Sequence, residues 1–219
     1  MEEWFEGVYL LGRVAWVETG CWLLVNGGEA AVLELPPSVG GGPDPVRLAV
    51  KGAADLGVEV RYLLCTHSHL DHFSRPTLRR MRAAFPAAEP VLQTGFAGVV
   101  GDAVGVRFFN TDVTLDLAGE PLHLIHAPKH STTDTMVVFR GAACTGDWEL
   151  GTVRTVHDWN PIWRVPVETR VRSCERLMAF PAWANYDIHR VYSVHGTDRR
   201  ENVDFPALMA ATRADRELW

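Results

Sequence analysis

His67-Ser68-His69-Leu70-Asp71-His72 stands directly behind an apolar run, Tyr62-Leu63-Leu64-Cys65, and this junction decides the reading of the chain. In an extended segment, residues two apart point the same way, so His67 and His69 can grip one metal ion. Asp71 and His72 come after the chain has turned and can face a second ion. Imidazole with carboxylate suits zinc, and also admits iron or manganese. The cluster itself contains no cysteine, which argues against a purely structural zinc knot. The run Val58 to Cys65 reads as a strand whose apolar end is covered on both faces. The histidine cluster therefore belongs to a loop at the strand's C-terminal edge.

Outward from this point, three further residues share that context. His130, in Ala127-Pro128-Lys129-His130-Ser131, follows a strand pattern. Asp147, in Cys144-Thr145-Gly146-Asp147, follows another, and His195, in Ser193-Val194-His195-Gly196, follows the last. One histidine in such a place is weak evidence. Four such loops in order are strong evidence for a metal site.

The surrounding elements fall into two blocks. Val8–Leu11, Trp22–Val25 and Ala30–Leu35 read as strands. Asp44-Pro45 opens a helix that stops at Gly57. Ser74 to Phe85 reads as a second helix, Val91–Thr94 and Val106–Phe109 as short strands. The second block begins with Val113–Leu117 and Leu122–His126, a hairpin turning at Gly119-Glu120. Met136–Phe139 and Ala142–Cys144 pair around Arg140-Gly141. A helix over Val165 to Phe180, a strand over Val191 to Val194, and a helix from Asp204 to near Leu218 complete it. Strands and helices in this duplicated order suit two sheets packed face to face with helices outside.

The chain has 219 residues, 47% of them hydrophobic, and a formal charge of −6. That length and composition predict one globular domain spanning 1–219. The acidic balance counts against nucleic acid as a partner. No apolar run is long enough to span a membrane. The start, Met1-Glu2-Glu3-Trp4, lacks the pattern of a signal peptide, so a cytoplasmic location is expected. Cys21, Cys65, Cys144 and Cys174 are far apart and form no CxxC, which argues against a disulfide framework, and Cys65 and Cys144, inside apolar strand patterns, read as buried thiols. The run Arg79, Arg80, Arg82 reads as a solvated helix face.

The order HxHxDH, His, Asp, His resembles the metallo-β-lactamase superfamily, over about Val8 to Gly196. The resemblance implies an α/β fold, a four-layer αββα sandwich of two mixed sheets with helices outside. It implies that His67, His69 and His130 hold one metal, that Asp71, His72 and His195 hold a second, and that Asp147 bridges them. Two divalent ions, zinc first among them, would be the cofactors. The chain departs from the family at several places. Glu34-Leu35-Pro36 replaces the usual aspartate before a glycine, Phe73-Ser74 replaces Gly-Gly, and Pro128-Lys129-His130-Ser131-Thr132-Thr133 replaces Pro-Gly-His-Thr-Pro-Gly.

Paired divalent ions activate water and polarise a carbonyl or phosphoryl oxygen. The expected activity is hydrolysis of a small ester, thioester or lactone, with Asp71 also orienting the water as a catalytic residue. The alternatives are a phosphodiesterase or nuclease on RNA or DNA, a mononuclear-iron persulfide dioxygenase, and a metal-bound sensor without turnover. A small molecule is the expected partner, and exposed tryptophans are compatible with a homodimer. His126 reads as structural, and His157 and His189 as surface residues. Lys129 reads equally as a binder of an acidic substrate group or as a solvent-facing loop lysine. Trp163 reads as packing, while Trp148 and Trp159 stay open between packing and a pocket wall.

Overall fold

The computed structural model describes residues 1–14, 17–39 and 42–215. The first sheet contains β1 (Glu2–Phe5), β2 (Val8–Val14), β3 (Thr19–Asn26), β4 (Glu29–Leu33), β5 (Glu59–Leu64), β6 (Glu89–Gln93) and β7 (Arg107–Phe109), paired in that order. Its first four strands run antiparallel, and β4 to β7 run parallel. Parallel neighbours need crossovers, and the helices α1 (Pro45–Leu56) and α2 (Arg75–Ala84) supply two of them. The second sheet contains β8 (Asp112–Leu117), β9 (Glu120–His126), β10 (Thr135–Phe139), β11 (Ala142–Cys144), β12 (Arg190–Tyr192) and β13 (Arg199–Glu201). Its order is β13-β12-β11-β10-β9-β8, and only the β11–β12 pair is parallel. The helix α3 (Val167–Ala184) makes that crossover, and α4 (Phe205–Ala214) follows the last strand.

Three apolar clusters define the four layers. Trp22, Leu24, Leu33 and Leu64 from the first sheet meet Leu122, Leu124, Val137 and Tyr192 from the second. On the outer face of the first sheet, Leu23, Val32 and Leu63 pack against Ala49 of α1 and Leu78 and Met81 of α2. On the outer face of the second, Met136 and Val138 pack against Cys174, Leu177 and Phe180 of α3 and Phe205 and Met209 of α4. Each fully buried side chain of this size contributes about 2 kcal/mol. The layers are those of the expected αββα sandwich. All four cysteines are buried and free, Cys65 and Cys144 as expected from their strand patterns. No helix among the described residues is long and apolar enough to cross a membrane.

Local signals placed most boundaries. The Asp44 side chain accepts from the Val46 N–H, and Gly57 ends α1 at a φ of 65°. Ser74 caps α2, and Asp204 caps α4. Both hairpins of the second sheet carry positive φ at both central residues, Ala118-Gly119 and Arg140-Gly141, as a type I′ turn requires. Several strand ends shift by one to three residues, the first of these hairpins turns at Ala118-Gly119 rather than Gly119-Glu120, and α3 shifts at both ends. α3 begins at Val167 and continues past Pro181 to Asn185, which takes the left-handed cap conformation. The expected end of the last helix near Leu218 lies outside the described residues.

Candidate metal centre

Each sequence-predicted ligand follows the C-terminal end of a strand. The hexapeptide follows β5, His130 follows β9, Asp147 follows β11 and His195 follows β12. Hydrogen bonds between the two halves bring these loops together. The Thr135 N–H donates to the Thr66 carbonyl at 2.7 Å, and the Ser68 N–H to Thr133 Oγ1 at 2.9 Å. On the other side, Trp22 Nε1 and the Gly20 N–H both donate to the Val194 carbonyl, at 2.8 and 3.2 Å. A Cβ at Gly20 would overlap that carbonyl, so the approach needs glycine. Arg13 donates to the carbonyls of His195 and Gly196.

The result is two groups of ligand-type atoms, each within 4.8 Å of one another: His67, His69 and His130 in one, and Asp71, His72, Asp147 and His195 in the other. Asp147 lies between them. Its Oδ2 is 3.8 Å from His67 Nε2, 3.3 Å from His72 Nε2 and 3.6 Å from His130 Nε2. Its Oδ1 is 3.2 Å from His195 Nε2. His67 Nε2, His72 Nε2 and Asp147 Oδ1 are buried without a hydrogen-bond partner. Buried polar atoms are almost always satisfied, so convergent orphans of this chemistry fit a divalent cation.

The imidazoles differ electrostatically. Burial holds His67 well below the usual histidine range and lowers His130 to about 4. Burial also lowers His69. Burial pulls His72 and His195 down too, but Asp147 outweighs it at both, helped at His72 by Asp71 and Glu34, and both are raised. Burial pushes the Asp147 carboxyl up, yet His195 and His72 hold it well below the carboxylate range.

Several residues that support this site were not read from the sequence. The fully buried Glu34 accepts from the Thr66 N–H at 2.9 Å and faces His72 Nδ1 at 3.2 Å. Asp134 Oδ2 accepts the backbone N–H groups of Lys129, His130 and Ser131, which fixes the His130 loop. His157 is not a surface residue. Its ring lies 4.5 Å from that of His130 and 5.1 Å from that of His69, and its Nε2 is a buried orphan. Trp163, expected to be packing, instead lines a cavity of about 400 Å³ with His157, His69 and Asp147. Trp148 is the packing residue, buried with Nε1 bonded to the Ala127 carbonyl, and Trp159 is 77% exposed. His189 is exposed, as expected. His126 is partly buried and bonds the Thr132 carbonyl, in keeping with a structural role.

Lys129 fits neither of its readings. It is fully buried, its ammonium 2.7 Å from Glu149 and 2.7 Å from the Arg154 carbonyl, beside the Trp148 ring. Breaking a fully buried pair costs about 3–5 kcal/mol, but Glu149 is 31% exposed and can rehydrate. Lys129→Met is therefore expected to destabilise by about 2 kcal/mol, lowering Tm by about 4–8 °C in thermal unfolding. An unchanged Tm would remove the ion pair from the account of this loop.

No family model and no curated protein matches the chain. Solved structures do. A metallo-β-lactamase family protein from Thermus thermophilus is similar with a TM-score of 0.62 and 16% identity, over 97% of this chain and 80% of that one. A metallo-β-lactamase from Cronobacter sakazakii gives 0.63 and 16%, over 97% and 94%. ETHE1 from Myxococcus xanthus gives 0.61 and 16%, over 86% and 80%. At these identities the likeness is one of fold.

Proposed function

We propose that this chain, which has the metallo-β-lactamase fold, is a metal-dependent hydrolase of a small ester, thioester or lactone. The observation that carries the reading is the convergence of seven ligand-type side chains on Asp147, with buried ligand atoms left unpartnered. His67, His69 and His130 would hold one divalent ion, and Asp71, His72 and His195 a second, with Asp147 between them. Such a pair, zinc by donor chemistry, would supply an activated water and a Lewis acid for the carbonyl. Asp71 is 27% exposed at the cavity, where its carboxylate would accept a hydrogen bond from the attacking water and orient it. Burial raises its carboxyl, but His72 outweighs burial and keeps it ionised at neutral pH. His157 and Trp163 wall the opposite side and restrict the pose of the acyl group.

Metal analysis of protein purified without added metal, followed by a panel of thioester, lactone and phosphodiester substrates, tests this reading. Two ions per chain with thioester or lactone turnover supports it. Turnover of the phosphodiester alone would move the assignment to a nuclease. One iron per chain would move it to a mononuclear dioxygenase.

Metal loss on acidification is expected in two steps. A protonated imidazole cannot ligate. His72 and His195 have raised pKa values, so they take up protons first as pH falls. His67, His69 and His130 are lowered and stay neutral further into acid. Dialysis at stepped pH should take the metal-to-protein ratio from two to one before it falls to zero. A single-step loss would contradict the assignment of the two groups.

A further inference from the structure

We propose that Arg75, Arg79 and Arg82 form a phosphate-binding subsite for the substrate of the metal centre. This rests on the hydrolase reading above and names its substrate class: an ester or thioester whose leaving group ends in a phosphate. Water adds its oxygen to the acyl carbon, the C–S or C–O bond breaks, and the phosphate-bearing thiol or alcohol leaves with the proton.

The three arginines line one cavity of about 600 Å³ on the flank of α2. At 3.6 residues per turn, positions 75, 79 and 82 fall within about 60° of one another on the helix. Arg80 lies outside this stripe, and it is paired with Asp44. Arg61, Arg107, Arg176 and Arg213 likewise sit against carboxylates. Arg79 and Arg82, by contrast, make no hydrogen bond or ion pair among the described residues. The solvated-face reading thus suits Arg80 only in that its charge is matched at the surface; its neighbours concentrate unmatched charge on a concave wall.

The cavity wall holds Arg75 in place. The Arg75 guanidinium donates to the carbonyls of Val99 and Gly98 and has further N–H groups to offer. Gly101 and Gly105, at φ of 80° and 71°, bring the facing loop close. A Cβ at Gly105 would stand 3.0 Å from an Arg82 nitrogen. Asp102 is the one carboxylate on the wall, and its Oδ1 accepts the Val104 N–H. Guanidinium groups on one wall suit the several oxygens of a phosphate.

A furrow of three adjoining pockets that share lining residues runs from this cavity to the metal centre. Arg75 also borders a middle pocket of about 470 Å³, whose walls include Leu70, Phe73, Pro76 and Val99. Ser68 and Leu70 are shared in turn between the middle pocket and the cavity of His69, Asp147 and Trp163. The furrow thus reads metal centre, apolar middle, cationic end. A nucleic-acid strand carries phosphates throughout its length, and the apolar middle does not suit one.

The test uses the metal-loaded protein and two thioesters of the same acyl group, one on phosphopantetheine and one on N-acetylcysteamine, which lacks the phosphate. The wild type should favour the phosphorylated thioester by about 30-fold in kcat/KM, through KM. In R79A/R82A that ratio should fall close to one, while R80A should retain it. A wild-type ratio near one, or an unchanged ratio in R79A/R82A, overturns the subsite. If neither thioester turns over, the thioesterase form of the hydrolase reading fails separately, and calorimetry with inorganic pyrophosphate decides the subsite. Binding lost in R79A/R82A supports it, while equal binding or none overturns it. Steeply salt-dependent affinity for single-stranded RNA, lost in the same variant, would also overturn it and assign the arginines to a polynucleotide.

Discussion

Asp147→Ala is expected to abolish stoichiometric metal binding and to lower kcat/KM by more than about 100-fold. That figure is a floor, because about 100-fold is the upper end for losing a residue that merely supports a metal ligand. Asp147 does more. Its two oxygens face His67, His72, His130 and His195, all within 3.8 Å. Removing it separates the two groups of ligands and leaves His72 and His195 without the carboxylate that raises them. Metal content and activity should therefore fall together. Asp147→Asn, which keeps the shape and removes the charge, should lie between the variant and the wild type in metal content. Unchanged metal content in Asp147→Ala would remove the residue from the centre and with it the two-metal reading.

The candidate ligands were legible because their chemistry is dense and their context repeats. Three histidines and an aspartate within six residues behind a buried strand form a local signal. His130, Asp147 and His195 each follow a strand whose apolar pattern marks its end. The layers were legible for the same reason, since most strands and helices carry a clear period. What escaped has a physical cause in each case. β1 and β13 are short edge strands rich in charge, and the Arg199–Glu201 strand is fully exposed, so neither has an alternating apolar face to read. Lys129 is buried because Glu149 and the Arg154 carbonyl meet its ammonium, and a partner twenty residues away leaves no periodic trace. His157 and Trp163 reach the centre through a loop without regular structure, where sequence spacing does not fix direction. The arginine stripe on α2 had the spacing of any solvated helix. Only the concave wall and the lack of ion pairs at Arg79 and Arg82 among the described residues distinguish it.

Glu34→Ala is expected to cost about 3–5 kcal/mol of stability and to weaken metal binding about 10- to 100-fold. Glu34 and His72 are both fully buried, so neither can rehydrate when the other is removed. The same carboxylate also accepts the Thr66 N–H and stands 3.4 Å from the Cys65 thiol, tying the strand end before His67 to the ring of His72. Its backbone is held at a φ of 80°, a conformation costly for a non-glycine residue and retained here by these contacts. For a chain of this length the stability loss corresponds to a Tm lower by about 6–20 °C. Folding and metal support can be separated. Glu34→Gln keeps an oxygen for the Thr66 N–H and should recover much of the stability. Its neutral amide is a weaker partner for His72 Nδ1, so the metal affinity should remain reduced. Thermal unfolding of the metal-free proteins reads the first effect, and competition with a chelator reads the second. If Glu34→Gln restored both together, Glu34 would be a scaffold for the strand end alone. If it restored stability and left the affinity low, the His72 imidazole would depend on this carboxylate for its strength as a ligand.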